Sequence, residues 1–573
     1  MRPLKLFWLT TSAKQSPRLI FAALIFAHVL PIAAARAGSL ADEIQAQLKR
    51  PQDNAEVISG ETLRMPAALD AFYAARDYKP GWVSGDGLRP SAQAMLDVLD
   101  ASSEEGLNPE DYHVRALRNL FAALHGSSPS DSGRPARMAT VELLLSDAFV
   151  LLAEHESHGR LDHDEFNPEG SAVPDLPNLT QRLQEAMQSS IPGSGLQGLG
   201  SQEPGYAALK AALAHYRQLA GQPASVEIPA GPPLKRGDEG PRVAVLIARL
   251  VVEGDLRAPA SEEIFDDSVE GAVRRFQARH GLESDGVAGK STLIALNTPM
   301  QAWVEQLRVN LERLRWLPRN SAATRVEVNI ADYSATLYEN GAATLSAPVV
   351  VGLPYRQTPE FSDMIRYLVF NPNWDVPPTI GGEEILPRIQ KHSSYLKRHG
   401  YVVLRGWNGA EHRVDGSTID WKHWTADTLP YHFRQLPGPE NALGQVKFMF
   451  PNRYGVYLHD TPAQGLFAVG QRTFSHGCIR VAHALDLADN LLQIDTGGDP
   501  SEMVEKIMSS HETRQVELAH PIPIYILYLT AWVDDLGVVQ FRPDIYGRDP
   551  EILHELDAPL SDHPACCATS ATP

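Results

Sequence analysis

The sequence predicts a multidomain α+β protein: a helical N-terminal domain, a small three-helix module, and a β-rich C-terminal domain carrying an insertion. Three observations lead there. The 573 residues correspond to about three to five domains at roughly 100–200 residues each. Apolar residues recur every three or four positions up to about residue 315 and every second position after it, the periods of helix and strand. Clusters of Pro, Gly and Ser cut the chain at 126–135, 189–205 and 221–233, where turns and linkers belong. With 43% hydrophobic and 21% charged residues, each domain has enough apolar surface for a core.

The first 37 residues stand apart. Arg2, Lys5, Lys14 and Arg18 precede an apolar run at 19–35, and Ala35-Arg36-Ala37 forms an A-x-A site. That order predicts a secretory signal peptide, 1–37; an uncleaved inner-membrane anchor is the alternative. The net charge is −19, and the leader holds five basic residues, so its removal makes the remainder more acidic. Nucleic acid and anionic membrane surfaces are therefore excluded as main partners. Only Cys478, Cys566 and Cys567 are present, too few for a disulfide framework in a secreted chain of this length. Cys566 and Cys567 fall in a polar stretch, 548–573, expected to be a disordered tail. Cys478 is left as a thiol without a structural partner.

Residues 40–225 contain runs such as 138–159 with helical spacing and form the expected helical domain. His155, His158 and Asp162 lie in it, but their spacing matches no metal-ligand signature, and a solvated helix end explains them. Residues 234–297 follow the linker as a compact unit. Val243, Leu246, Ile247 and Leu250 mark one helix; Val269, Val273 and Phe276 a second; Thr292, Leu293 and Leu296 a third. A further helix at 304–318 ends at Pro318. Then Val326, Val328 and Ile330 alternate, Asn340-Gly341 marks a hairpin turn, and Val446, Phe448 and Phe450 share one strand face. Residues 304–547 form the β-rich domain. The segment 375–440, with Trp407, Trp421 and Trp424, interrupts it as an insertion expected to act as a lid, its Trp residues lining it. His412, Asp415, Asp420 and His423 lie there with no spacing that suits a metal, so no metal or cofactor is expected.

The chemistry concentrates between 454 and 492. A strand runs to His459; Ser475-His476-Gly477-Cys478-Ile479-Arg480 follows, then a helix with Ala484, Leu487, Ala488, Leu491 and Leu492 on one side. A free thiol has a pKa of about 8.5, so a nucleophilic Cys needs an imidazole partner and gains from a helix N-terminus. Cys478 is expected just ahead of that helix. His459 and His476 are the candidate partners; His459, reaching across a sheet, is preferred. The N–H groups of Gly477 and Cys478 are a candidate oxyanion hole, worth ~3 kcal/mol per donor. On chemistry alone, a buried Cys beside core histidines remains an equal alternative.

His-Asp-Thr-Pro followed by Ser-His-Gly-Cys-Ile-Arg resembles the signature of the L,D-transpeptidase (YkuD-type) catalytic domain. The 234–297 unit resembles the peptidoglycan-binding (PG-binding-1) module in Leu234-x-x-Gly237-Asp238-x-Gly240, Ala272-Val273-x-x-Phe276-Gln277 and Gly281-Leu282-x-x-Asp285-Gly286-Val287-x-Gly289. The whole resembles the large periplasmic subgroup with a scaffold domain and a capping insertion. The resemblance implies a cysteine acyltransferase in which Cys478 is the nucleophile and His459 the general base and acid, oriented by the Asp460 carbonyl. It implies that His476 and Gly477 shape the acyl pocket, and that Arg480 and Tyr457 bind substrate. The implied reaction forms 3→3 peptidoglycan cross-links through a thioester with release of D-Ala, in the periplasm. Peptidoglycan stem peptides and glycan strands are the implied partners, and carbapenem-type compounds the implied inhibitors. A catalytically silent wall-binding protein, or a sibling hydrolase or ligase, are the competing readings.

Overall fold

The strongest packing demand comes from the run at 134–158, whose middle is dense in Leu, Val, Ala and Phe and must therefore be surrounded. In the computed structural model, which describes residues 39–49, 60–161, 179–223, 226–318, 322–406 and 410–560, Arg134–His158 is a 25-residue helix buried along most of its length. Helices Leu40–Leu48, Pro66–Ala74, Pro90–Asp100, Val114–Gly126 and Leu179–Gln188 pack in the same apolar cluster. The buried carboxylate on its central helix is fully paired, as burial requires. Glu142, on the central helix, accepts the Gly81, Trp82 and Val83 N–H groups and the Tyr73 hydroxyl. His155, expected at a solvated helix end, is instead buried and meets the Tyr112 hydroxyl at 2.9 Å.

The small module is built from helices Pro241–Val252, Asp267–Arg279 and Lys290–Leu296 around Phe265, Phe276 and Leu246. Its motif residues stitch it together: the Gln277 amide donates to Asp285 at 2.7 Å and to the Val287 carbonyl at 3.0 Å, and accepts the Gly286 N–H at 2.9 Å. Gly286 sits at φ +77°, where a Cβ would meet Glu270, so glycine is needed there.

Helix Met300–Arg315 joins the parts. Its buried Asn310 and Glu312 bond Thr530 and the Leu161 N–H, and Arg313 pairs with Asp549 at 2.6 Å. The first part of the expected disordered tail, 548–560, is ordered instead. Asp549–Asp557 is a helix with Leu556 buried, tied by Arg313–Asp549 and by Arg308–Asp557 at 2.8 Å. These partners are remote in sequence, so local composition does not reveal them. The signal peptide, Asp162, Trp407, Cys566 and Cys567 lie outside the described residues.

The main sheet of the β-rich domain has nine strands: β1 (Arg325–Asn329), β2 (Ser334–Glu339), β3 (Ala342–Gly352), β4 (Phe361–Phe370), β5 (Val446–Met449), β6 (Leu458–His459), β7 (Thr473–Ser475), β8 (Ile479–Val481) and β9 (Arg514–Leu527). They are ordered β7-β3-β8-β6-β5-β4-β9-β1-β2. The first part of β3 also pairs with β2 through the Asn340-Gly341 turn, both residues at positive φ. The sheet thereby closes on itself around Val328, Phe370, Phe448, Leu458 and Ile479. Helix Ala484–Thr496 covers it with Leu487, Ala488 and Leu491.

Between β4 and β5 lies the insertion, with its own four-stranded sheet (Trp374–Asp375, Tyr401–Arg405, His412–Val414 and Tyr431–Gln435) and its own core. Trp421 is buried in that core, its indole N–H donating to the Gly416 carbonyl at 2.9 Å, and Trp424 packs against it. Trp421 therefore builds the core of the insertion instead of lining it as expected, while Trp424 stays partly exposed. Asp415 and Asp420 cap short turns at Ser417 and Lys422.

Candidate active site

Strand register assembles the site. β6 lies between β5 and β8, with Lys447 opposite His459 and His459 opposite Arg480. The Ile479 N–H donates to the Tyr457 carbonyl at 3.1 Å, which puts Cys478 beside Tyr457. Side chains alternate between faces along a strand, so Tyr457, His459, Lys447, Cys478 and Arg480 share one face. Leu458, Phe448 and Ile479 fill the core from the other, each fully buried. Cys478 and His459 are diagonal neighbours on paired strands, a separation that side chains span.

One expectation fails. Cys478 does not sit at a helix N-terminus: Ile479–Val481 forms β8 between β6 and β3, and the helix begins only at Ala484. Three residues that also suit a helix are drawn into the sheet because its closure needs a strand there. The helix dipole, which acts within about one turn, therefore contributes nothing to the thiol.

His459 is buried, and its Nδ1 lies 2.5 Å from the Asp460 carbonyl. A carbonyl only accepts, so Nδ1 carries the proton and Nε2 offers a lone pair. The Asp460 carboxylate faces away, accepting the Gln445 N–H at 2.9 Å and the Gln464 amide at 3.2 Å. Burial, reinforced by the Arg480 and Lys447 cations and opposed by the Asp460 carbonyl, lowers the His459 pKa to about 3. Burial also raises the Cys478 thiol, against hydrogen bonds from the Tyr457 backbone and hydroxyl and the nearby Arg480 and Lys447 charges. Both shifts favour the neutral thiol and the neutral imidazole over the ion pair that a helix-capped thiol suggests. Lys447 stands 5.5 Å over the Tyr457 ring, and burial lowers its pKa.

The loop before Cys478 is held from behind. Gly477 adopts φ +110°. Its carbonyl accepts the Thr358 hydroxyl at 2.8 Å, and that hydroxyl accepts the Gly352 N–H at 3.0 Å. The Gly477 N–H donates to Ser475 Oγ at 3.1 Å, and Ser475 Oγ bonds the Cys478 carbonyl at 2.5 Å. Gly477 N–H is therefore engaged inside the loop, and of the expected oxyanion pair only the Cys478 N–H is left to serve. His476 turns toward the insertion, its Nε2 2.7 Å from Glu384 Oε1. Sequence reasoning singled out neither Glu384 nor Lys447. Lys447 sits in a strand whose alternation was visible, and only the pairing with His459 gives it significance.

Comparison with known proteins agrees with this architecture. Residues 67–213 match the family described as "Scaffold domain", 239–296 the "Putative peptidoglycan binding domain", and 323–507 the "L,D-transpeptidase catalytic domain". Each model matches a separate stretch of the chain, the last of them lying on the β-rich domain. A Haemophilus influenzae protein named "Putative L,D-transpeptidase" is 33% identical over 248 residues, 43% of this chain and 49% of that protein. The chain thus spans about half the length of this curated relative. Among solved structures, the L,D-transpeptidase from Xylanimonas cellulosilytica covers 52% of this chain and 98% of its own at 16% identity and TM-score 0.17. That from Stackebrandtia nassauensis covers 52% and 97% at 15% identity and TM-score 0.19.

Proposed function

We propose that this protein is a periplasmic cysteine acyltransferase that cross-links peptidoglycan. Cys478 is the nucleophile and His459 the base. The observation that carries this is the shared strand face: a thiol and a tautomer-fixed imidazole on neighbouring strands, at the edge of a capping insertion. His459 Nε2 takes the Cys478 proton as sulfur attacks the carbonyl of the third stem residue, and the Cys478 N–H receives the developing oxyanion. Collapse breaks the bond to D-Ala; His459 returns the proton to the departing amine, and a thioester remains. The side-chain amine of a neighbouring stem then attacks the thioester, giving a 3→3 cross-link and free thiol. Tyr457 supports the sulfur by hydrogen bonding, while the Arg480 and Lys447 cations stabilise negative charge as it develops on sulfur or on the stem carboxylate. The peptidoglycan-binding module supplies the second contact with the wall. The reaction as drawn needs no metal or cofactor, and carbapenem-type compounds acylate the same thiol.

Intact-mass spectrometry with a disaccharide-tetrapeptide tests this. The wild type is expected to release D-Ala, show a thioester adduct and form dimer; Cys478→Ala is expected to do none of these. Dimer from Cys478→Ala overturns the assignment of the nucleophile. Free tripeptide alone from the wild type makes the protein an L,D-carboxypeptidase.

A further inference from the structure

The proton balance of the second step asks for a base besides His459, and the capping insertion presents one. An acceptor amine enters as an ammonium and ends as an amide nitrogen, losing two protons. One returns to sulfur as the thiol re-forms, and His459 can carry it. The other must leave the site before nitrogen can attack. His459 is ill suited to pass it outward: it is 5% exposed, and its second nitrogen is fixed on the Asp460 carbonyl.

Resting on the transpeptidase reading, we infer that the His476–Glu384 pair is the acceptor-side base, taking the first proton from the incoming ammonium and releasing it to solvent. Glu384 lies in a five-residue π-helical turn, Gly381–Ile385, at the base of the insertion, a form often found at functional positions. That turn is held close by small residues: a Cβ on Gly382 would stand 2.9 Å from Ala426, and one on Gly381 would stand 3.3 Å from Phe433. Glu384 Oε1 meets His476 Nε2 at 2.7 Å. Against a carboxylate, Nε2 carries the hydrogen and Nδ1 is the free acceptor, the reverse of the His459 tautomer. The side chains of His476 and Glu384 are 26% and 35% exposed, so a proton taken there has a route to water.

The surrounding charges fit this task. From the insertion, Arg388 lies 3.7 Å from Glu384 Oε2, and Glu383 is ion-paired to Arg356. From the sheet, Arg480 feels both Glu384 and Cys478, which places the pair in the same electrostatic field as the thiol. Lys447 and His459 lie beyond, on the Cys478 side. The carboxylate keeps the imidazole oriented and compensates its charge when protonated. Water attacking the thioester needs no such step, because the product acid ionises afterwards. The pair therefore favours amine over water as the acceptor.

The test is Glu384→Gln in the full chain, which preserves shape and removes charge. The thioester is formed with the disaccharide-tetrapeptide and resolved by the stem amine, by water, or by hydroxylamine, a nucleophile already unprotonated at neutral pH. D-Ala release and hydrolysis are expected to stay within about twofold of wild type, which also certifies folding. Dimer formation is expected to fall at least tenfold at pH 7 and to recover as pH approaches the amine pKa of about 10. Hydroxylamine should trap the thioester at the wild-type rate. Unchanged dimer formation overturns the inference, as does an equal loss with hydroxylamine, which would make Glu384 a structural tether. Absence of any thioester in the wild type instead sinks the transpeptidase reading itself.

Discussion

Replacing Thr358 with Val isolates the support behind Cys478. The residue is fully buried, and Val preserves its shape while removing the hydroxyl. That hydroxyl donates to the Gly477 carbonyl at 2.8 Å and accepts the Gly352 N–H at 3.0 Å. Tyr546, whose hydroxyl donates to the Gly352 carbonyl at 2.7 Å, keeps its own bond. Thr358→Val thus leaves one buried acceptor and one buried donor without partners, each costing about 1–3 kcal/mol. A destabilisation of about 2–6 kcal/mol follows, read as a lower urea midpoint for the transition of the catalytic domain. Gly477, at φ +110°, is the hinge that aims Cys478, and a displacement of about 1 Å at a reacting atom costs on the order of a hundredfold in rate. Acylation of Cys478 by the tetrapeptide, followed by intact mass, should therefore slow by at least about tenfold in molecules that remain folded. A shift under about 0.5 kcal/mol, the size expected of a neutral surface change, together with unchanged acylation would refute the reasoning.

Two further outcomes follow from charge. His113 is buried between Glu61 at 2.8 Å and Asp147 at 2.9 Å; burial alone would lower its pKa, but the two carboxylates raise it to about 9. Because the folded value exceeds the unfolded one, its stabilisation of about 3 kcal/mol is complete below pH ~6.5 and is lost as pH rises through about 9. Thermal unfolding of the helical domain should show that loss, and His113→Gln should flatten it; an unaltered pH slope in the variant would sink the assignment. The raised Cys478 thiol predicts that iodoacetamide labelling accelerates with pH through and beyond 9, with no plateau between pH 5 and 8. Tyr457→Phe should slow labelling at pH 8, since the hydroxyl bonds the thiolate; a low-pH plateau in the wild type would mean a resting ion pair.

What the sequence determined by itself is local. The helical spacing of 138–159, the Asn340-Gly341 turn with both residues at positive φ, the alternation of Val446, Phe448 and Phe450, and the run from Ser475 to Arg480 are all short-range patterns. Each constrains backbone dihedrals or side-chain faces within a few residues, so each is legible without a fold. Cys478 and His459 belong to this class because their motifs are contiguous. The tertiary structure alone decided the rest. Ile479–Val481 becomes a strand because β6 and β3 leave a gap that a closed sheet must fill, and this takes the helix N-terminus away from the thiol. Lys447 joins the site through register with His459, and Glu384 through an insertion folded over the loop that bears His476. Asp549–Asp557 is ordered by Arg313 and Arg308 from a helix far earlier in the chain. Cross-strand register and long-range ion pairs have no period along the sequence, so the chain encodes them only through the packing of the whole.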